Sequence, residues 1–259
     1  MHHIFIAPHL DDAVLSCGEL IYSFRKRGDS VTVLTVFTQN PEKGEISDTA
    51  KSFHSDCFLQ ENAMTTRKEE DRAAAVFLDY NFIHLDLHEC LYRKGQDGKF
   101  LYPKTEDICG DIHKADVEVQ SKLSDIFPKL LSYADYVYAP LAFGSHVDHQ
   151  IIKKVVDISA VIPKEKIFYY EDIPYIFEID ANERHKTCES AGLFPLLIHV
   201  TEEAWQAKAD AILLYRSQLS CMWKNDFERM EQLKTLSLQY TDKPCVRLWS
   251  HIDAIPDWS

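Results

Sequence analysis

His3-Ile4-Phe5-Ile6-Ala7 leads into Pro8-His9-Leu10-Asp11-Asp12, the chain continues from Ala13 to Lys26, and after Gly28 it closes with Val31-Thr32-Val33-Leu34-Thr35-Val36-Phe37. The opening run reads as a short buried strand. Ala13, Leu15, Leu20, Ile21 and Phe24 then recur at near-helical spacing, so Asp12 to Lys26 reads as a helix, stopped by Gly28. Val31 to Phe37 is a second buried strand. Strand, helix and strand in this order form a βαβ unit, which requires parallel pairing and a right-handed crossover.

Working outward, Thr38 to Ala63 is polar and irregular. Thr66-Arg67-Lys68-Glu69 has the form of a capping box, with Thr66 as N-cap of a helix running to about Tyr80, followed by a strand from Phe82 to Leu87. Leu91 to Val117 is a long excursion of the kind that carries binding residues. Val119 to Ala134 reads as a helix with a kink at Pro128, Tyr136 to Leu141 as a strand, Val147 to Val161 as a helix, and Lys166 to Tyr170 as a strand. Glu202 to Trp223 reads as one long amphipathic helix and Phe227 to Tyr240 as another. The expectation is one α/β domain over residues 1–259. It is Rossmann-like and three-layered (α/β/α) with a mostly parallel sheet, a core over about 1–175 and a helical carboxyl-terminal extension over about 176–259.

The chain has 259 residues, 46% of them hydrophobic, enough to fill a substantial core. Its 28 Lys and Arg against 41 Asp and Glu leave a net charge of −13, which argues against a partner recognised through its phosphate backbone, nucleic acid above all. No run approaches the roughly 20 apolar residues of a membrane span, and no signal-peptide core is present. The seven cysteines are odd in number and contain no Cys-x-x-Cys pair. They read as core fillers and loose thiols in a reducing cytoplasm.

In an open parallel sheet, ligands bind beyond the carboxyl ends of the strands. Two loops there stand out. Ala7-Pro8-His9-Leu10-Asp11-Asp12 follows the first strand, and Gly144-Ser145-His146-Val147-Asp148-His149 follows the strand ending at Leu141. Taken singly, such residues are ordinary caps or surface groups. Together they are harder to dismiss, because adjacent Asp11 and Asp12 repel one another unless a cation or a shared proton compensates. Two His and one carboxylate form an open set for zinc, leaving positions for water and substrate. His9, Asp12 and one His from the second loop would meet that need. The remaining carboxylate and His are then free for proton transfer, so the cluster predicts hydrolysis. A nucleotide-binding protein is the contrasting class, but the first strand is not followed by Gly-x-Gly-x-x-Gly, and two Asp would face the pyrophosphate.

These two loops, with Arg67-Lys68-Glu69-Glu70-Asp71, resemble the LmbE/PIG-L family of zinc-dependent N-deacetylases over most of the chain up to about Tyr175. Tyr170 to Tyr175 and Tyr215-Arg216-Ser217-Gln218 look like a bacterial branch of it. The resemblance implies metal ligation by His9, Asp12 and His149, with zinc, iron(II) or another divalent ion as cofactor. Asp11 would be the general base on the attacking water. His146 would stabilise the oxyanion or protonate the leaving amine, and Asp148 would orient and charge His146. Arg67 and Glu89 would contact a sugar, with Tyr92 and Arg93 beside them at the start of the excursion. The implied substrate is a small N-acylated amino sugar or glycoconjugate, and a non-catalytic sugar-conjugate binder of the same family is the alternative. The chain departs from the family at Leu10, where many members have Pro, at Leu78-Asp79 in place of Leu-Gly, and at Gly144, where mycothiol-type members carry a Tyr that assists the oxyanion.

Overall fold

The computed structural model describes residues 1–41, 46–57, 63–253, 256 and 258. The opening unit forms as β1 (His2–Ala7), α1 (Asp12–Arg27) and β2 (Ser30–Thr35). Gly28 ends α1 at φ 92°, a left-handed conformation that costs glycine nothing, and its N–H closes on the Arg25 carbonyl. The chain continues through α2 (Asp48–Asp56), α3 (Ala63–Leu78), β3 (Asn81–His84), α4 (Thr105–Ile108), α5 (Val117–Leu131), β4 (Tyr136–Pro140), α6 (Val147–Ile158) and β5 (Ile167–Tyr170). The carboxyl-terminal part adds α7 (Ala181–Ser190), β6 (Phe194–His199), α8 (Glu202–Ile212), α9 (Arg216–Met222), α10 (Asp226–Ser237) and β7 (Cys245–Ser250).

The sheet order is β3-β2-β1-β4-β5-β7-β6. The pairs among β1 to β5 are parallel, with His3 opposite both Val31 and Tyr136, whereas β7 runs antiparallel to β5 and β6. Helices cover both faces of the sheet, making three layers. The order of the parallel strands reverses between β1 and β4, the switch point at which loops splay apart and leave a crevice. Both histidine loops open onto that crevice. A single apolar cluster runs from Ile4 on β1 to Leu248 and Trp249 on β7 and to Trp258, so the carboxyl-terminal part shares the core of the amino-terminal part.

Several elements differ from the sequence expectations. The carboxyl-terminal part carries helices and also two strands, β6 and β7. Part of the segment read as irregular is α2, started by the Ser47 hydroxyl accepting from the Ala50 N–H at 3.0 Å; positions 42–45 and 58–62 of that segment lie outside the described residues. Helix α3 begins at Ala63, a turn before Thr66, so the predicted capping box lies inside the helix. Its buried stripe includes Ala63, Met64, Arg67, Asp71, Ala74 and Leu78, and the two charged members hide the period from a reading based on apolar residues. The expected long helix 202–223 is broken into α8 and α9. No Gly or Pro marks the break. There the Tyr215 hydroxyl is pulled inward to donate to Asp71 at 2.9 Å, and the Ser217 N–H donates to Glu70 at 2.8 Å.

Candidate active site

The loop after β1 turns straight into α1, placing His9, Asp11 and Asp12 at the carboxyl end of the sheet. The loop after β4 turns into α6, with His146 as its N-cap and His149 in the first turn. His9, Asp12 and His149 each offer one donor atom, all within 4.8 Å of one another, and all three side chains are buried. His9 Nδ1 lies 3.1 Å and His149 Nε2 3.3 Å from Asp12 Oδ2. Neighbouring ligands about 3.3–3.4 Å apart are what tetrahedral bonds of about 2.0–2.1 Å require.

The remaining nitrogens of both imidazoles are committed elsewhere. His9 Nε2 is 3.0 Å from Asp148 Oδ2, and His149 Nδ1 is 2.7 Å from Asp172 Oδ1. A carboxylate acceptor behind each ring fixes the proton on that side and leaves the other nitrogen's lone pair facing Asp12, the arrangement found behind metal-binding histidines. His149 Nε2 is buried and has no hydrogen-bond partner. Residues and geometry thus fit a divalent metal. Electrostatics agree. Burial alone would lower His9, yet Asp12 and Asp148 outweigh it and raise it to about 9. His149 is likewise raised against burial by Asp12 and Asp172, while Asp12 is held well below the usual carboxylate range, against burial, by the two imidazoles. The centre favours positive charge.

Asp11 stands beside this set without joining it. Its Oδ1 accepts from Arg67 at 3.4 Å, and burial raises its pKa despite that guanidinium. Arg67 also donates to Glu89 Oε2 at 3.3 Å, leaving the buried Oε1 of Glu89 without a partner. His146 Nδ1 accepts from the Asp148 backbone N–H at 3.2 Å, so its proton resides on Nε2, beside the Cys90 thiol at 3.9 Å. Burial and the neighbouring His9 hold His146 well below the usual imidazole range, and it is therefore neutral.

A cavity of ≈ 290 Å³ opens over these groups, lined by His9, Asp11, Asp12, Arg67, Glu89 and His146 on its polar side. Phe53, Leu91, Ile108 and Met222 form an apolar wall. The volume is at the low end of the about 300–1,000 Å³ of small-molecule sites, and the excursion after β3 contributes several of the lining residues.

Three candidates sit differently from the sequence expectation. The Asp148 carboxylate does not bond to the His146 ring; it accepts from the Cys90 N–H at 3.0 Å and from Arg93, and supports His9. Arg93 is absent from the cavity lining. It is buried, ion-paired with Asp148 and held to Asp116 by two contacts of 2.8 Å, because two carboxylates at that depth need a cation between them. Tyr92 is also absent from the lining, with its hydroxyl 2.6 Å from His54 Nε2.

The sequence reading gave no role to Asp172, which lies within the Tyr170 to Tyr175 stretch, two residues beyond the end of β5 at the carboxyl edge of the sheet. It also missed the Cys57–Cys221 disulfide that joins the end of α2 to α9 beside the cavity, so those two cysteines are not loose thiols. Nothing in the spacing of residues 164 apart announces that pairing. Of the other cysteines, Cys17, Cys90, Cys188 and Cys245 are buried and Cys109 is exposed. None of the described helices is long and apolar enough to cross a membrane.

Known proteins resemble this chain in sequence and in fold. The family model for GlcNAc-PI de-N-acetylase, PIG-L, matches residues 4–159. A 2'-N-acetylparomamine deacetylase of Niallia circulans is 27% identical over 192 residues, covering 66% of each chain. A protein of the same name from Streptomyces fradiae is 27% identical over 221 residues, 83% of this chain and 72% of its own. Among solved structures, a deacetylase of the teicoplanin biosynthesis pathway, determined as its bog complex, superposes with a TM-score of 0.81 at 23% identity, covering 96% of this chain and 97% of that one. The structural likeness establishes the shared fold. With the match to residues 4–159 spanning more than half of its length, the chain belongs to the PIG-L family, that of the GlcNAc-PI de-N-acetylases.

Proposed function

We propose that the chain is a metal-dependent amidohydrolase that removes an N-acyl group, chiefly N-acetyl, from an amino sugar or glycoconjugate. One observation carries the reading: His9, Asp12 and His149 converge, each imidazole backed by a carboxylate, with the non-ligating Asp11 beside them at the floor of a sugar-sized cavity. The two relatives named for 2'-N-acetylparomamine deacetylation support the substrate class. The cavity is walled by residues from both ends of the chain, His9 and Met222 among them, which supports reading residues 1–259 as one functional unit.

His9, Asp12 and His149 would hold the ion, with zinc as the reading and iron(II) as its rival. What such an ion supplies is Lewis acidity, which makes water acidic enough to attack near neutral pH and polarises the acyl carbonyl. Asp11 takes the proton of the attacking water, steadied by Arg67. Asp11, whose pKa burial raises, then passes that proton to the departing nitrogen. His146, neutral and protonated on Nε2, acts as a hydrogen-bond donor rather than as an acid. Glu89 and Arg67 present charged groups to the hydroxyls of a sugar.

The test is acetate release from 2'-N-acetylparomamine and a panel of N-acetylated glucosamines, by purified protein with added Zn²⁺. Release is expected with wild type. Asp11→Asn should keep one metal per chain while the rate falls about 10²–10⁴-fold. His149→Ala should lose metal on dialysis, as read by elemental analysis. No release from any panel member, or wild-type turnover by Asp11→Asn, overturns the reading.

A further inference from the structure

Tyr175 follows β5 by five residues and belongs to none of the groups used so far. Its ring stands edge-on to His149, with centroids 5.4 Å apart, and 6.1 Å from that of His146. It lines the same cavity as Asp11 and Asp12. Its hydroxyl forms no hydrogen bond with any described residue, although the phenols of Tyr80, Tyr92, Tyr102, Tyr138, Tyr169 and Tyr215 are all paired. A half-buried phenol that lines the cavity and carries no hydrogen bond to the protein is free to donate to a ligand bound there.

The loop after β4 is shaped around this ring. A Cβ on Gly144 would lie 2.4 Å from Tyr175 Cδ1 and 2.5 Å from Cγ, closer than any side chain tolerates. Gly144 also adopts φ 79°, so both space and backbone exclude other residues. The glycine lets Tyr175 sit against the loop that carries His146, so that the phenol ring and the His146 imidazole are neighbours in the cavity that Asp12 also lines. Asp11 and Arg67 line the same cavity.

We propose that Tyr175 is a further catalytic residue, whose hydroxyl donates a hydrogen bond to the acyl oxygen of the bound amide as that oxygen takes on negative charge. The proposal rests on the amidohydrolase reading above. As water adds to the acyl carbon, the carbonyl π electrons move onto oxygen and Asp11 accepts the proton of water. When the C–N bond then breaks, those electrons return, and nitrogen leaves with the proton from Asp11. Tyr175 keeps its own proton throughout; a phenol with an ordinary pKa of about 10 is a donor at neutral pH. Its hydrogen bond strengthens only as charge develops, so it acts on the rate and not on substrate affinity.

The experiment compares wild type and Tyr175→Phe, both loaded with Zn²⁺, on 2'-N-acetylparomamine and on an N-acetylglucosaminide. Removing one such donor should lower kcat about 10²-fold and leave KM within about threefold. The affinity for an N-methylphosphonyl glucosamine, a tetrahedral mimic, should weaken by about the same factor, while glucosamine itself binds unchanged. A merely space-filling role predicts no change in either ligand, because Phe preserves the ring. Gly144→Ala, which displaces the ring, should cost at least as much, and adding Tyr175→Phe to it should cost nothing more. Active wild type with Tyr175→Phe within threefold of its kcat overturns the role of Tyr175 alone. Wild type inactive on every N-acetyl sugar overturns the amidohydrolase reading, and this proposal with it.

Discussion

Asp172 and Asp148 do the same thing for different histidines. Each accepts the N–H of a ring whose other nitrogen faces Asp12, and so decides which lone pair is free. Asp172 also accepts from the Phe143 N–H at 3.1 Å, tying the loop after β4 to the loop after β5. Asp172→Asn keeps the shape and removes the charge, so affinity for Zn²⁺ should drop about 10–100-fold, measured by chelator competition, while the fold is retained. Unchanged affinity would mean that His149 is oriented by its packing alone. Much of this layer was hidden in the sequence. The two histidine loops were legible because they break the usual composition of such turns, with imidazoles and carboxylates where glycines are expected. Asp148, Asp172 and Arg93 act through other side chains, and only the fold reveals which of them touch.

At the level of elements, the cavity mouth is built by pieces that are individually weak. Helices α2 and α9 are short, and both border the apolar wall, through Phe53 on one and Met222 on the other. The Cys57–Cys221 bridge joins them. Cross-links that close long loops typically add about 2–4 kcal/mol, which for a chain of this size corresponds to about 2–4 °C in Tm per kcal/mol. The double variant Cys57→Ser/Cys221→Ser should therefore melt about 5–15 °C lower and show a raised KM, with its metal content unaltered. Melting within about 2 °C of wild type would mean that the bridge constrains nothing. Helix α2 was not legible, and α9 was read only as the end of one unbroken helix. Helix α2 buries only Ala50 and His54, giving no apolar period, and the break before α9 is made by distant partners, Asp71 and Glu70, that no local pattern encodes.

Over the whole molecule, what the sequence conveyed well was the alternation of buried strands and amphipathic helices, and hence the parallel core and its switch point. It conveyed β6 and β7 poorly. Pro195 interrupts β6, and β6 lies at the sheet edge with Phe194 and Leu197 exposed, so neither alternation nor a continuous apolar run marks it. The core they complete contains an ionisable group with a global consequence. His3 on β1 is fully buried, its ring stacked on Phe24 with centroids 3.9 Å apart, flanked by Trp258, its Nδ1 2.9 Å from the Tyr138 hydroxyl. Burial lowers its pKa from 6.5 to about 4, more than the nearby Asp29 can offset. Between those two values the unfolded chain binds a proton that the folded chain refuses. Stability therefore falls as pH drops through this window, by about 3 kcal/mol from this residue when the window is crossed. The raised pKa values of His9 and His149 act in the opposite sense, favouring the folded metal-free chain at low pH until both states are protonated, so the acid limb of the wild type alone is a composite. The difference between wild type and His3→Phe isolates the one residue, because Phe keeps the stack and cannot titrate. Urea unfolding at pH 7.5 and 4.5 should show the variant gaining about 2–3 kcal/mol on the wild type as pH falls. The lost Tyr138 hydrogen bond adds only an offset independent of pH. Parallel pH profiles for the two proteins would show that His3 takes up its proton inside the fold without cost.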